Sequence, residues 1–389
     1  MAVPTYQVLL TEDDGFTQVD ITAYVLSVNI SRGRSRELER FNAGTVNVTL
    51  NNRNRYFDPK YTSSPYANYL TPKRAIAVIS NSIYVFNGYV QDWNYSYDVS
   101  GESVANVTGV DFLAYLAQMS LVADTPPSQS TGDRLQRIFG LSGNAGIVYP
   151  PINPGIVFDA GKRTLQADII SAGTNVLEYA QLVEKTEGGY FYIDAYGVMN
   201  FRETRNLFGN GQIFTDAGTT GFFDFAYQNI EIVYGSELLY NNITLTRAGG
   251  ASANVIKQSS IDRFGSLYYS DDGYLHATNA DTAKQALLLA AKFSEPEYRF
   301  ESISVMLNPL SFTKQQSLCQ IDLSYLVNVI FTPNSVGSAI SKTVRVIGMD
   351  HTMTPDSHII TYKFESVENE QMILDDTTFG SINWNVLGF

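Results

Sequence analysis

Tyr84-Val85-Phe86-Asn87-Gly88-Tyr89-Val90-Gln91-Asp92 is the stretch on which the fold turns, because it has an echo near the other end of the chain. The echo is Thr343-Val344-Arg345-Val346-Ile347-Gly348-Met349-Asp350-His351. An apolar run precedes each stretch (75–80 and 326–331), and another follows it (103–108 and 359–364). Both read as strand, loop, strand ending in glycine with apolar and acidic neighbours, turn, strand. Glycine within a strand marks a bulge or a close backbone approach, so Gly88 and Gly348 are read as equivalent positions of a duplicated β-unit. Chance likeness between two antiparallel sheets is the alternative. Two such units in one chain suit a ring, because a closed trimer of them presents six near-equivalent units.

Composition supports a β-rich globular chain. Its 389 residues exceed what one core normally serves, so two to four domains are expected. Hydrophobic residues at 44% against 17% charged exclude a disordered chain. An aromatic share of 13%, with 25 Tyr and 22 Phe, favours strands and surfaces that pack against partners. The net charge of −13 argues against phosphate binding; an acidic wall repels DNA and lets it pass. The one cysteine, Cys319, excludes an intrachain disulfide and is read as a buried packing residue. The first residues show neither a basic start nor a long apolar core, and no apolar run reaches the roughly 20 residues of a membrane span.

Periodicity then divides the chain. Residues 1–122 read as a first tube-like β-domain, in which Thr45-Val46-Asn47-Val48-Thr49-Leu50 alternates as a half-buried strand should. A short helix over 111–119 closes it. Residues 123–235 read as an α+β middle domain, with a linker at 125–130, a helix over 131–139 and an irregular stretch at 143–154. A further helix, 174–187, has Thr174 as candidate N-cap and Gly188-Gly189 as its stop, and a β-hairpin follows at 190–202. Residues 236–300 form a second middle segment with polar strands and a loop over 254–276 and a helix at 279–293. Residues 301–389 read as strands again, a second tube-like β-domain with a docking tail carrying Trp384 and Phe389. The expected fold class is mainly β with α+β insertions: two tube-like antiparallel barrel or sandwich domains flanking a mixed middle.

Residues that carry chemistry are few. Of three histidines, His351 and His358 flank the turn Thr354-Pro355-Asp356-Ser357 and are expected at the surface. A hairpin that brought them together as a metal pair would still lack further ligands at the right spacing. Asp356-Ser357-His358 cannot line up as a triad from adjacent positions. Glu12-Asp13-Asp14-Gly15 lacks the alternating ligands of a calcium loop and reads as a solvated turn. No catalytic residue, metal or cofactor is assigned, and the chain is not expected to be an enzyme. Arg32, Arg34, Arg36, Arg40, Arg53 and Arg55 are the one basic concentration. They are read as pairing with acidic edges of neighbouring subunits, a solvated loop being the alternative. The apolar tail, with Trp384 and Phe389, is assigned to the same interface.

Several strings together resemble siphophage minor tail and baseplate hub proteins. They are Ser35-Arg36-Glu37-Leu38-Glu39-Arg40-Phe41-Asn42-Ala43-Gly44-Thr45, the loop Leu50 through Pro59, and Thr62-Ser63-Ser64-Pro65-Tyr66. Gly188-Gly189-Tyr190-Phe191-Tyr192-Ile193-Asp194, Ala290-Ala291-Lys292-Phe293-Ser294-Glu295-Pro296 and Ile373-Leu374-Asp375-Asp376-Thr377-Thr378-Phe379-Gly380 continue the series. The resemblance spans nearly the whole chain. It implies a structural virion protein at a bacteriophage tail tip, similar to contractile-tail hubs, assembled in the host cytoplasm. It implies a homotrimeric, pseudo-sixfold ring continuing the tail tube. Implied partners are a distal tail protein, the tube or tape-measure protein, and a central fibre or other tail-tip proteins. DNA would pass through the ejection channel without sequence-specific binding. The competing functions are a tail-associated cell-wall or polysaccharide hydrolase and a host-glycan-binding adhesin.

Overall fold

The computed structural model describes residues 5–12, 17–99, 101–140, 155–203, 209, 211–218 and 221–367. The expected docking tail with Trp384 and Phe389, the irregular stretch 143–154, and Asp13, Asp14 and Gly15 lie outside the described residues.

Seven strands build a first unit: β1 (Tyr6–Thr11), β2 (Gln18–Asp20), β3 (Val25–Gly33), β4 (Asn42–Asn51), β5 (Ala75–Ser80), β6 (Ile83–Tyr97) and β7 (Ser103–Val110). Seven more build a second: β8 (Ile213–Thr215), β9 (Asp224–Phe225), β10 (Asn229–Tyr234), β11 (Tyr298–Met306), β12 (Leu326–Phe331), β13 (Ile340–Thr354) and β14 (Ser357–Ser366). Hydrogen bonding places the first set in the order β2-β1-β5-β6-β7-β4-β3 and the second in the order β9-β8-β12-β13-β14-β11-β10. The orders are the same with every number raised by seven, so the duplication read from the sequence is present in the topology. The copies differ at one margin: β1 runs antiparallel to β5 and β2, whereas β8 runs parallel to β12 and β9. The second unit draws on residues 213–234 as well as the C-terminal strands, rather than on 301–389 alone. Three short strands separated from β11 by more than sixty residues carry little periodicity by which to assign them.

Alternation explains which face is covered. β7 and β14 bury every second residue over most of their length, and their inward side chains (Ala105, Val107, Ile360, Tyr362) share one core with those of β3 and β4. The two units are one sheet rather than two closed barrels. Val28–Gly33 of β3 pairs antiparallel with Gly348–Met353 of β13, so fourteen described strands run continuously.

The glycines report where backbones meet. A bulge after Val90 in β6 and another after Val346 in β13 occupy the same place in their hairpins. Counted from these bulges, Gly348 corresponds to Asp92, and Gly88 corresponds to Val344. The two glycines are therefore four positions out of step, and each answers a different approach. A Cβ at Gly88 would lie 2.4 Å from the Val110 carbonyl oxygen, across β7; one at Gly348 would lie 2.4 Å from that of Arg34.

Most expected helices form, with shifted ends. α1 (Val176–Glu187) is capped by Asn175, whose side chain accepts from the Glu178 amide, and is closed by Gly188 at φ 71°. The cap is one residue later than Thr174. α2 (Asn279–Phe293) is capped by Thr278. Shorter helices occupy Phe112–Leu116 and Thr131–Ile138. Two helices were not legible. Gln258–Phe264 interrupts the polar strands, and α3 (Phe312–Cys319) lies in a segment read as all strand. α3 has few apolar residues to set a period. It buries Gln315, whose amide donates to the Leu307 and Leu310 carbonyls, together with Leu318 and Cys319. Tyr240, the strands Asn242–Arg247 and Tyr268–Tyr274, and α2 enclose a small separate core around Ile243, Leu245, Ala286 and Ala290.

Gly33 tests the joint between the units. It has φ +94°, and an added Cβ would sit 2.2 Å from the Ile347 carbonyl oxygen. Gly33→Ala should cost about 3 kcal/mol or more in urea unfolding, because strain and overlap add. Gly249→Ala, at φ +64° with open space around it, should cost only about 1–2 kcal/mol.

Candidate assembly surface

Arg32 sits on the buried face of β3, directly opposite Met349 of β13. Its guanidinium pairs with Asp322 at 2.9 Å and donates to the Ile193 carbonyl at 2.9 Å. Arg34, just past the strand end, donates to Glu365 of β14 at 2.5 Å and lies over the rings of Phe41 and Tyr190. Both arginines, expected to face other subunits, turn inward, Arg32 buried and Arg34 with a tenth of its side chain exposed, and join the chain's own two units. The reason is the β3–β13 pairing, which covers this end of β3.

Arg345 of β13 completes the junction. It is fully buried, lies 3.2 Å from Glu365, hydrogen-bonds the Tyr190 hydroxyl, and stacks its guanidinium over that ring at 4.9 Å. Tyr190 in turn donates to Glu365. One carboxylate thus serves two arginines and a tyrosine drawn from the first unit, the middle region and the second unit. Burial alone would raise the Glu365 carboxyl; Arg34, Lys292 and Arg345 outweigh it and hold the group down at about 2.

The other four arginines are exposed, and each has an intrachain partner. Arg36 pairs with Glu237, Arg40 approaches Gln181 at 3.5 Å, Arg53 donates to Glu102 at 2.7 Å, and Arg55 pairs with Asp58 at 2.6 Å. Surface pairs of this kind contribute little to stability, which leaves these side chains able to exchange partners.

The histidine pair is brought together, but in the interior. His351 Nδ1 lies 3.0 Å from His358 Nε2, and His358 Nδ1 lies 3.1 Å from the Ser80 hydroxyl. All three residues are buried to within 1% of full coverage, correcting the surface placement expected from the turn. That turn lies at the end of a long hairpin, whose last residues are covered by β3 and the β5–β6 turn rather than by water. A serine–histidine–histidine chain sealed in this way offers no approach to a substrate. Among the described residues no three His, Cys, Asp or Glu side chains converge to hold a metal. Cys319 is buried as expected, and burial raises its thiol to about 11. No helix among the described residues is long and apolar enough to cross a membrane.

Known proteins resemble this geometry in fold and not in sequence. No family model matches the chain, and no curated protein matches it. Three solved structures align over almost the full length. The 43 kDa tail protein of prophage MuSo2 from Shewanella oneidensis superposes with a TM-score of 0.60 at 13% identity, covering 92% of this chain and 98% of that one. A tail protein from Neisseria meningitidis gives 0.63 at 10%, covering 93% and 97%. The fold is that of phage tail proteins. Prophage tail protein gp18 from Listeria monocytogenes agrees, at 0.53 and 10% identity over 93% and 95%.

Two outcomes follow for the buried groups. Glu365→Gln should destabilise the chain by about 3 kcal/mol or more in denaturant titration, since it removes the buried carboxylate charge that pairs with Arg34 and Arg345. The second concerns pH. Burial lowers His358 to about 3, so the folded state stays neutral where the unfolded chain, near 6.5, takes up a proton. That contribution is present above about pH 6.5 and is lost as pH falls toward 3. Between pH 6 and 4, wild-type stability should fall more steeply than that of His358→Gln, by up to about 1.4 kcal/mol per pH unit.

Proposed function

We propose that this chain is the structural hub of a bacteriophage tail tip. Three copies form a ring that continues the tail tube, and the duplicated units give it pseudo-sixfold character. The two seven-stranded units line the channel, and the intervening segments, the helices and hairpin of 123–140 and 155–203 and the small core around α2, decorate its outside. The chain itself carries no catalysis. Neighbouring tail-tip proteins and a central fibre dock on the ring, and DNA passes through it without sequence readout. The protein belongs to the virion and is assembled in the host cytoplasm.

The observation that carries this proposal is the doubled strand order, with the copies joined side by side by β3 and β13, in a chain of tail-protein fold. A duplicated unit lets a threefold assembly meet a sixfold one, since each subunit presents the same sheet twice. Exposed Arg36, Arg40, Arg53 and Arg55 suit the acidic edges of neighbours in such a ring, because a fork of donors matches a carboxylate.

Analytical ultracentrifugation of the concentrated chain should show a trimer, and antibody against it should label the tips of assembled tails. A chain that stays monomeric and labels no tip overturns the proposal. Clearing of host cell walls in a zymogram by the purified protein would instead make it a hydrolase.

A further inference from the structure

The joint between the two units occurs once inside the chain, yet the duplication supplies its elements twice. β13 is long: its first half pairs with β12 and its second half, Gly348–Met353, takes β3 of the first unit on the same side. β6 is built likewise. Its first half pairs with β5, but Asp92–Tyr97 has no strand on that side among the described residues. The strand that would fill the gap by analogy is β10, the counterpart of β3, and its outer edge is also free among the described residues. We propose that β10 of one copy pairs antiparallel with the second half of β6 in a second copy, repeating between chains the joint made within each chain. This rests on the ring assigned above and names the edges that close it.

The register follows from rows of paired residues. Val28–Val48–Val107–Trp93 crosses β3, β4, β7 and β6; Ile230–Ile303–Tyr362–Met349 crosses β10, β11, β14 and β13 in the same way. Val28, Ile30, Arg32 and Gly33 thereby match Ile230, Ile232, Tyr234 and Gly235. Met349, His351 and Met353 match Trp93, Tyr95 and Tyr97. Inside the chain, Met353 faces Val28, His351 faces Ile30 and Met349 faces Arg32. Between chains, Tyr97 faces Ile230, Tyr95 faces Ile232 and Trp93 faces Tyr234.

Burial separates the filled joint from the empty one. Met349, His351, Met353, Val28, Ile30 and Arg32 are all buried. Of their counterparts none is buried: Trp93, Tyr95, Ile230 and Ile232 are half-buried, Tyr97 is 55% exposed and Tyr234 is 68% exposed. Apolar and aromatic side chains alternate along two open edges that are complementary in register, as the core of an interface requires. Gly33 and Gly235 supply an independent sign. Gly33 is forced by the close approach of β13, whereas a Cβ at Gly235 would meet only Val233, at 3.7 Å. A glycine stands where the approaching strand of a neighbour would need one. An exposed strand edge of this length is a liability for an isolated chain, and a head-to-tail ring that pairs β6 with β10 covers both of these edges.

Disulfide trapping tests the register. Glu231 and Ser96 fall opposite one another on the water-facing side, and both are exposed in the single chain. Oxidation of full-length Glu231→Cys/Ser96→Cys should give linked dimers and trimers on a non-reducing gel, collapsing to one band with reductant. Either single variant should give background only. Glu231→Cys/Asn94→Cys, two residues out of step, should link far less, since diagonal neighbours lie beyond disulfide reach. Absence of the linked ladder in the in-register variant, or equal linking in the displaced one, overturns the strand pairing. A trimer in the centrifuge without these links leaves the ring standing and removes this edge from it.

Discussion

The antiparallel pairing of Val28–Gly33 with Gly348–Met353 is the constraint on which the rest depends. It converts two sheets into one, and it requires strands more than three hundred residues apart to meet before either edge is satisfied. The buried arginines make sense only in its light. Arg32 and Arg34 would face water on a free edge strand; under β13 they must find carboxylates, and Asp322 and Glu365 are there. A buried charge left unpaired is costly, so the ion pairs do less to hold the joint than to enforce its register.

The same constraint recruits the middle of the chain. Tyr190 reaches from the hairpin after α1 to the Glu365 carboxylate, and Ile193 lends its carbonyl to Arg32. Gln181 of α1 donates to the Phe41 carbonyl, just after the arginine-rich stretch. The helix–hairpin is thus anchored where the units meet. The small core around α2 is tied to the rest through the ion pairs Lys292–Glu37 and Lys185–Asp271 and through backbone bonds of Leu275 and Ala277 with Gln166 and Thr164.

Much of the fold was legible because period-2 alternation survives in long strands. β4, β7, β11, β13 and β14 could be read, as could α2 to the residue, since its composition, first-turn Asp281 and following Pro296 agree. The illegible elements are those whose local chemistry is weak: α3, polar and short, and β8 and β9, three and two residues that form because β12 offers an edge to β8 and β8 offers one to β9. The histidines misled for a related reason. A turn next to Pro355-Asp356 reads as surface, and nothing local tells that Ser80 and the β3 edge will close over His351 and His358.

Composition and periodicity determined that this is an acidic, β-rich chain with a repeated unit near each end. They did so because alternation and turn residues act over a few positions, within the reach of local reading. Which glycine matches which, that the units fuse into one sheet, that two arginines turn inward, and which edges remain open were decided by the tertiary structure. Those outcomes depend on pairing between segments hundreds of residues apart, where a slip of one residue would exchange the buried and exposed faces of a whole strand.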